Sequence, residues 1–213
     1  MKQQSELIII VDDDFRVREA LSELLASRHL NSITFDSAAG YLRLSNPGVP
    51  SCLVLDVSLP DINGLELQNT LAPAQHPPIV FISGYGDIPS SVRAMKAGAI
   101  DFLTKPINEE DLFRAIDVAL IRDRESRNNR TELAKLEERY ASLTPREREV
   151  LPLVVSGLLN KQAAAELGIS EVTLQIHRSH VLHKMNARSI PDLVRMTDRL
   201  NIPAFQPNRA KLQ

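Results

Sequence analysis

Asp12, Asp13 and Asp14 follow the apolar run Leu7 to Val11, and Asp56 follows Cys52-Leu53-Val54-Leu55. Ser83 ends Ile79-Val80-Phe81-Ile82, and Lys105 ends Asp101-Phe102-Leu103-Thr104. Each short apolar run therefore closes on an acid, a hydroxyl or an amine. Parallel strands present their carboxyl ends on one edge, which is where open α/β sheets place their ligand sites. Carboxylates gathered there repel one another unless a cation sits among them, and hard oxygen ligands of this kind suit Mg²⁺. The chemistry such a group supports is acceptance of a phosphoryl group.

The elements that must position these residues are legible as a pattern. Five β-rich runs, Leu7 to Val11, Ser32 to Phe35, Cys52 to Leu55, Ile79 to Ile82 and Asp101 to Leu103, alternate with amphipathic stretches. Val17, Ala20, Leu21, Leu24 and Leu25 form one face of a first helix, and Leu112, Phe113, Ile116, Ala119 and Leu120 one side of a last helix over 108–120. Five βα units predict a doubly wound parallel sheet; Asp12, Asp13 and Asp56 end its first and third strands, which adjoin when the strand order is 2-1-3-4-5. Asp14 is expected to cap the first helix.

The charge divides the chain. Residues 1–121 carry 9 Lys and Arg against 16 Asp and Glu, residues 122–139 carry 6 against 5, and residues 140–213 carry 10 against 6. An acidic front and a basic back point to two domains and to a polyanion as partner of the second. Between them, Arg122 to Glu132 holds no apolar side chain and so packs into no core, and 122–139 reads as a polar linker, with Leu133, Leu136, Tyr140 and Leu143 spaced 3, 4 and 3 as a short seam from its end. It has good helix formers and neither Pro nor Gly, which favours a solvated helix over a flexible tether. Pro203 and Pro207 in a polar setting predict a loose tail over 202–213. The longest apolar run near the N-terminus has five residues, too short for a signal sequence or a membrane span, and a cytoplasmic protein without membrane contact is expected. The single cysteine, Cys52, reads as a buried core residue.

Val11-Asp12-Asp13-Asp14, Asp56-Val57-Ser58-Leu59-Pro60-Asp61-Ile62-Asn63-Gly64, Ser83-Gly84 and Leu103-Thr104-Lys105-Pro106 together resemble the receiver domain of bacterial two-component response regulators, over 1–121. The resemblance implies that Asp56 attacks a phosphohistidine and becomes an aspartyl phosphate, the nucleophilic use of a carboxylate. It implies that Asp13, Asp12, Asp56 and the backbone carbonyl of Ser58 hold Mg²⁺, and that Lys105 and Ser83 contact phosphoryl oxygens. It further implies a cis Lys105-Pro106 bond and an aromatic switch at Phe102, whose alternative reading is an ordinary sheet residue. Ser58 and Tyr85 occupy positions that tune phosphate lifetime in that family.

The basic part carries its own punctuation. Thr144-Pro145-Arg146-Glu147 is a capping box with proline at the first helical position, and the helix it opens contains Pro152, expected to kink it near Arg148. A second helix runs from Asn160 to Leu167 and stops at Gly168; a third starts at Ser170 and reaches about Met185. Helix, short glycine turn, helix is the DNA-reading motif. At about 100° per residue Leu174, Val181 and Met185 share a core face, leaving Gln175, Ile176, Ser179, His180 and His183 outward.

Over 140–201 the chain resembles the LuxR-type helix-turn-helix output domain of the FixJ/NarL group, through Leu143-Thr144-Pro145-Arg146-Glu147-Arg148-Glu149-Val150-Leu151, Gly157-Leu158-Leu159-Asn160-Lys161, Glu166-Leu167-Gly168-Ile169-Ser170 and Val172-Thr173-Leu174-Gln175-Ile176-His177-Arg178. On this reading Ile176 meets a thymine methyl and Gln175 reads adenine, whereas the lysine usual at that position would favour guanine. Lys161, Thr173, Arg178 and Lys184 are phosphate-contact candidates, and Ser179 lies on the reading face. His177, His180 and His183 are too far apart around the helix for a metal set.

The expected protein is a transcription regulator switched by phosphorylation of Asp56. Its partners would be a sensor histidine kinase, promoter DNA, RNA polymerase and a second copy of itself. The competing readings are an aspartyl-phosphate phosphohydrolase and a receiver whose output is directed to protein or RNA.

Overall fold

The computed structural model describes residues 6–72, 75–84, 86 and 88–206. The chain divides into two compact units between Arg127 and Asn128.

The first unit is built from β1 (Leu7–Val11), α1 (Phe15–Ser27), β2 (Asn31–Phe35), α2 (Ala38–Leu42), β3 (Ser51–Asp56), α3 (Gly64–Leu71), β4 (Ile79–Ser83), α4 (Ile88–Lys96), β5 (Asp101–Thr104) and the start of α5 (Glu109–Ala141). The five strands are all parallel and lie in the order β2-β1-β3-β4-β5. The inner strands are unbroken apolar runs because both sheet faces are covered. Ile9, Val11, Leu53, Leu55 and Phe81 face one core, shared with Leu65, Leu67 and Ala94 of α3 and α4. Ile8, Ile10, Cys52, Val54 and Ile82 face the other, with Leu21 and Leu25 of α1 and Leu112, Phe113, Ile116 and Leu120 of α5. Cys52 is fully buried.

The second unit contains α6 (Pro145–Val155), α7 (Asn160–Leu167), α8 (Glu171–Met185) and α9 (Ile190–Arg199). Its core gathers Leu136, Leu143, Val150, Leu151, Val154, Ala163, Leu174, Val181, Met185 and Leu193. Thr144 and Glu147 exchange capping bonds at the start of α6, with Pro145 in the first turn. Gly168 ends α7 at φ +63°, a left-handed position that glycine enters without penalty, and Ser170 caps α8 two residues on. α6 continues through Pro152.

Three features depart from the sequence reading. Helix α5 does not stop at residue 120: it runs unbroken over 33 residues, and the division between the units falls inside it. Residues 122–127 are not without a packing partner, because Asp123 is 2% exposed and its Oδ2 accepts from the Ser51 backbone N–H at 2.9 Å and from Arg127 Nε at 2.6 Å. A charged group is buried when it is paired, and these partners lie outside the local pattern. Residues 202–206 are not loose: Ile202 and Phe205 pack on the core of the second unit, and the Phe205 N–H donates to the Pro152 carbonyl at 3.1 Å. Residues 207–213 of the expected tail lie outside the described residues.

Candidate functional site

Asp12 and Asp13 stand directly after β1, and Asp56 is the last residue of β3, the strand paired beside it. Carboxylate oxygens of Asp12, Asp13 and Asp56 all lie within 4.8 Å of one another. Asp12 is fully buried: its Oδ1 accepts from the Asp14 N–H at 2.9 Å and its Oδ2 from Lys105 Nζ at 2.6 Å. Lys105 Nζ also lies 3.3 Å from Asp56 Oδ1. That contact is electrostatic, since Asp56 Oδ1 is buried without a hydrogen bond among the described residues. Asp13 is exposed, so the cluster opens to solvent on its side.

The titration of the pair follows its surroundings. Burial pushes the Asp56 carboxyl above its ordinary value; Lys105 pulls it down, Asp12 pushes it further up, and the Ser58 N–H draws it down. Burial draws Lys105 down, but its hydrogen bond to Asp12 and the charges of Asp56 and Asp12 outweigh that and leave it raised. Three acids, one of them with a buried oxygen that has no hydrogen bond among the described residues, fit a hard divalent cation such as Mg²⁺.

Local structure holds this edge together. Ser83 is buried at the end of β4, and its carbonyl accepts from the Lys105 N–H at 2.8 Å. The Lys105-Pro106 bond is cis. Phe102 is half-buried on β5, its ring 6.1 Å from that of Phe81. Ser58 is exposed and bridges to Asn63, which caps α3. Gly64 is required there, since a Cβ would sit 2.4 Å from the Asp56 carbonyl oxygen. Asp14 caps α1 by accepting from the Arg16 N–H at 2.8 Å. Tyr85 lies outside the described residues.

Two positioning groups escaped the sequence reading. Arg18 Nη1 donates to the carbonyls of Asp12 and Asp13, at 2.7 and 2.9 Å, and braces the acidic loop from α1. Asp61 accepts from the Ala38 and Ala39 N–H groups, at 3.3 and 2.8 Å, and ties the β3–α3 loop to α2. Arg18 stands one turn into the helix after three acids, a signal that charge spacing alone offered; Asp61 had none.

In the second unit, Leu174, Val181 and Met185 are fully buried, so α8 turns Gln175, Ile176 and Ser179 outward. Ile176 is 51% and Val172 67% exposed. Lys161 is exposed in the first turn of α7. Three phosphate-contact candidates are engaged inside the domain. The Thr173 hydroxyl is 2.8 Å from the Ser170 hydroxyl, and Arg178 Nη1 donates to Asn160 Oδ1 at 2.7 Å. Lys184 Nζ lies 2.7 Å from Oε2 of Glu147, which is 3% exposed. His180 Nδ1 is 3.6 Å from the same carboxylate, and among the described residues the histidines form no metal-binding group.

Residues 8–117 match the response regulator receiver domain family, and residues 141–197 match the family described as bacterial regulatory proteins, luxR family. The chain is a response regulator of the luxR type. Among its relatives, Nodulation protein W of Bradyrhizobium diazoefficiens is 47% identical over 93% of this chain and 88% of its own length. Response regulator protein TodT of Pseudomonas putida is 47% identical over 94% and 88%. Transcriptional regulatory protein FixJ of Azorhizobium caulinodans is 42% identical over 88% and 89%. The solved structure of response regulator StyR superposes with a TM-score of 0.81 at 45% identity, covering 92% of this chain and 99% of that one. Full-length FixJ from B. japonicum gives 0.54 at 35% identity, covering 95% and 99%. The response regulator thus joins a receiver to a helix-turn-helix DNA-binding domain, the architecture of a transcription regulator rather than of a metabolic enzyme. No helix among its described residues is long and apolar enough to cross a membrane.

Proposed function

We propose that this response regulator accepts a phosphoryl group on Asp56 from the phosphohistidine of a sensor kinase and, so modified, binds promoter DNA through α8. A carboxylate oxygen of Asp56 forms the new bond to phosphorus as the bond to the imidazole nitrogen breaks; the imidazole leaves and takes up a proton. Asp13, Asp12, Asp56 and the Ser58 carbonyl are the residues that would hold Mg²⁺, which neutralises charge on the phosphoryl oxygens when bound. Lys105 pairs with a phosphoryl oxygen as a point charge, and Ser83 donates to another. Ser83 moving toward the phosphoryl group gives room for Phe102 to turn inward, a local charge change biasing a packed element.

The observation that carries this reading is the meeting of three carboxylates within 4.8 Å, with Lys105 bridging Asp12 and Asp56. For DNA, Ile176 meets a thymine methyl and Gln175 an adenine edge, with Ser179 beside them; Lys161 contacts phosphate. Thr173, Arg178 and Lys184 hold the reading helix in place and reach phosphate only where their internal partners release them. Phosphorylation pairs two copies, and two reading heads gain effective concentration on a two-half-site operator in the cytoplasm, where RNA polymerase is then recruited or blocked.

Selection of DNA from a random pool, with and without acetyl phosphate and Mg²⁺, tests the reading. A common two-half-site sequence enriched only with the phosphodonor is the expected result; enrichment of no sequence in either condition would overturn it.

A further inference from the structure

Between Glu109 and Leu120, α5 is held to the sheet by buried apolar side chains, Leu112, Phe113, Ala115, Ile116, Ala119 and Leu120. From Ile121 to Arg127 no apolar side chain is buried, and the contacts are polar. Asp123 accepts the Ser51 N–H at the first residue of β3, Arg127 Nη2 donates to Asn46 Oδ1 at 3.1 Å, and Arg124 pairs with Glu6, next to the first residue of β1. Leu7 and Ser51 are themselves paired in the β1–β3 register. The two strands fastened here are the two that carry Asp12, Asp13 and Asp56 at their other ends.

Apolar contacts let helices slide by fractions of an ångström, whereas hydrogen bonds are selective in distance and angle. A buried carboxylate also leaves a costly orphan N–H if it withdraws. The last receiver turns of α5 therefore follow the amino ends of β1 and β3 more closely than a greasy helix would.

We propose that Asp123 is a positioning residue through which the state of the acidic pocket reaches α5: a shift of β1 and β3 on phosphorylation is read at Ser51 and transmitted to 122–130. The relay rests on Asp56 being the phosphoryl acceptor, as proposed above.

Amide hydrogen exchange of the full chain over 122–130, with and without acetyl phosphate and Mg²⁺, tests it in the unmodified protein, Asp123→Ala and Asp123→Asn. In the unmodified protein the segment's exchange changes on phosphorylation. In Asp123→Ala it is faster by about tenfold or more without phosphodonor, the loss expected for a hydrogen bond to a charged group. It no longer responds to phosphodonor, although Asp56 is phosphorylated as before. Asp123→Asn, which keeps an oxygen acceptor for Ser51 but not the ion pair to Arg127, retains the response; should Asp123→Ala fail to fold, loss of the response in Asp123→Asn overturns the relay. Unchanged protection in Asp123→Ala, or a response equal to that of the unmodified protein, overturns the relay alone. No phosphoryl uptake by the unmodified protein overturns the functional reading and the relay together.

Discussion

The ammonium of Lys105 lies 2.6 Å from Asp12 Oδ2 and, on its other side, 3.3 Å from Asp56 Oδ1. One cation is thus shared by carboxylates from two strands, and it is hydrogen-bonded to only one of them. Asp56 is left buried and, among the described residues, with one oxygen lacking a hydrogen bond, an arrangement that costs stability.

This has a measurable stability consequence. Burial raises the Asp56 carboxyl in the folded protein, against the opposing pull of Lys105. The folded state therefore binds more protons than the unfolded one, and the ionised group costs stability once the pH exceeds the folded value. In EDTA at pH 7, Asp56→Asn is expected to raise the melting midpoint of the first unit by about 2–5 °C. The gain shrinks as the pH is lowered through the folded value and vanishes below the ordinary carboxylate range. A gain that grows on acidification would contradict the assignment.

A cation among the three acids stabilises by mass action. Mg²⁺ at about ten times its dissociation constant adds about 1.4 kcal/mol to the folded state. Melting curves with and without Mg²⁺ should differ in the unmodified protein and coincide in Asp13→Asn. An undiminished Mg²⁺ effect in that variant would remove Asp13 from the ligand set.

Lys184 divides a structural role from a DNA-contact role. Glu147 is buried, which by itself raises its carboxyl, yet the hydrogen bond from Lys184 and those from Thr144 hold it below its usual value. The pair's contribution is present above the ordinary carboxylate range and is lost as the pH falls through the lowered folded value. Lys184→Met should destabilise the second unit by about 1–3 kcal/mol at pH 7, and by less in strong acid, as read by circular-dichroism melts. Unchanged melting together with weakened DNA binding would return Lys184 to the interface.

The reading face of α8 predicts a thymine and an adenine in each half-site. Gln175→Ala should weaken binding to the selected operator by about 1–3 kcal/mol. Replacing the contacted thymine by deoxyuridine should weaken the unmodified protein but leave Ile176→Ser unaffected. Equal losses in both proteins, measured by fluorescence anisotropy, would place the methyl elsewhere.

The five strands were legible because a sheet covered on both faces writes each strand as an apolar run, and the doubly wound order then brings Asp12, Asp13, Asp56 and Lys105 together. The candidate site residues are those that end or follow these runs. The buried stripe of α8 was legible for the same reason, from helical period alone. Asp123 was not legible: a charged residue in a polar stretch reads as solvated, and its burial depends on Ser51, 72 positions away, and on Arg127. The Lys184–Glu147 pair was not legible, because Glu147 belongs to another helix. Phe205 was hidden among prolines, since its N–H finds its partner in the Pro152 carbonyl, 53 positions away, which also accepts the Ser156 N–H.

Intact-protein mass spectrometry after incubation with acetyl phosphate and Mg²⁺ tests the central claim most directly. The unmodified chain is expected to gain one alkali-labile phosphoryl group, mapped to Asp56, and Asp56→Asn to gain none. A phosphoryl group of equal occupancy in Asp56→Asn, or none in the unmodified chain, would contradict the account.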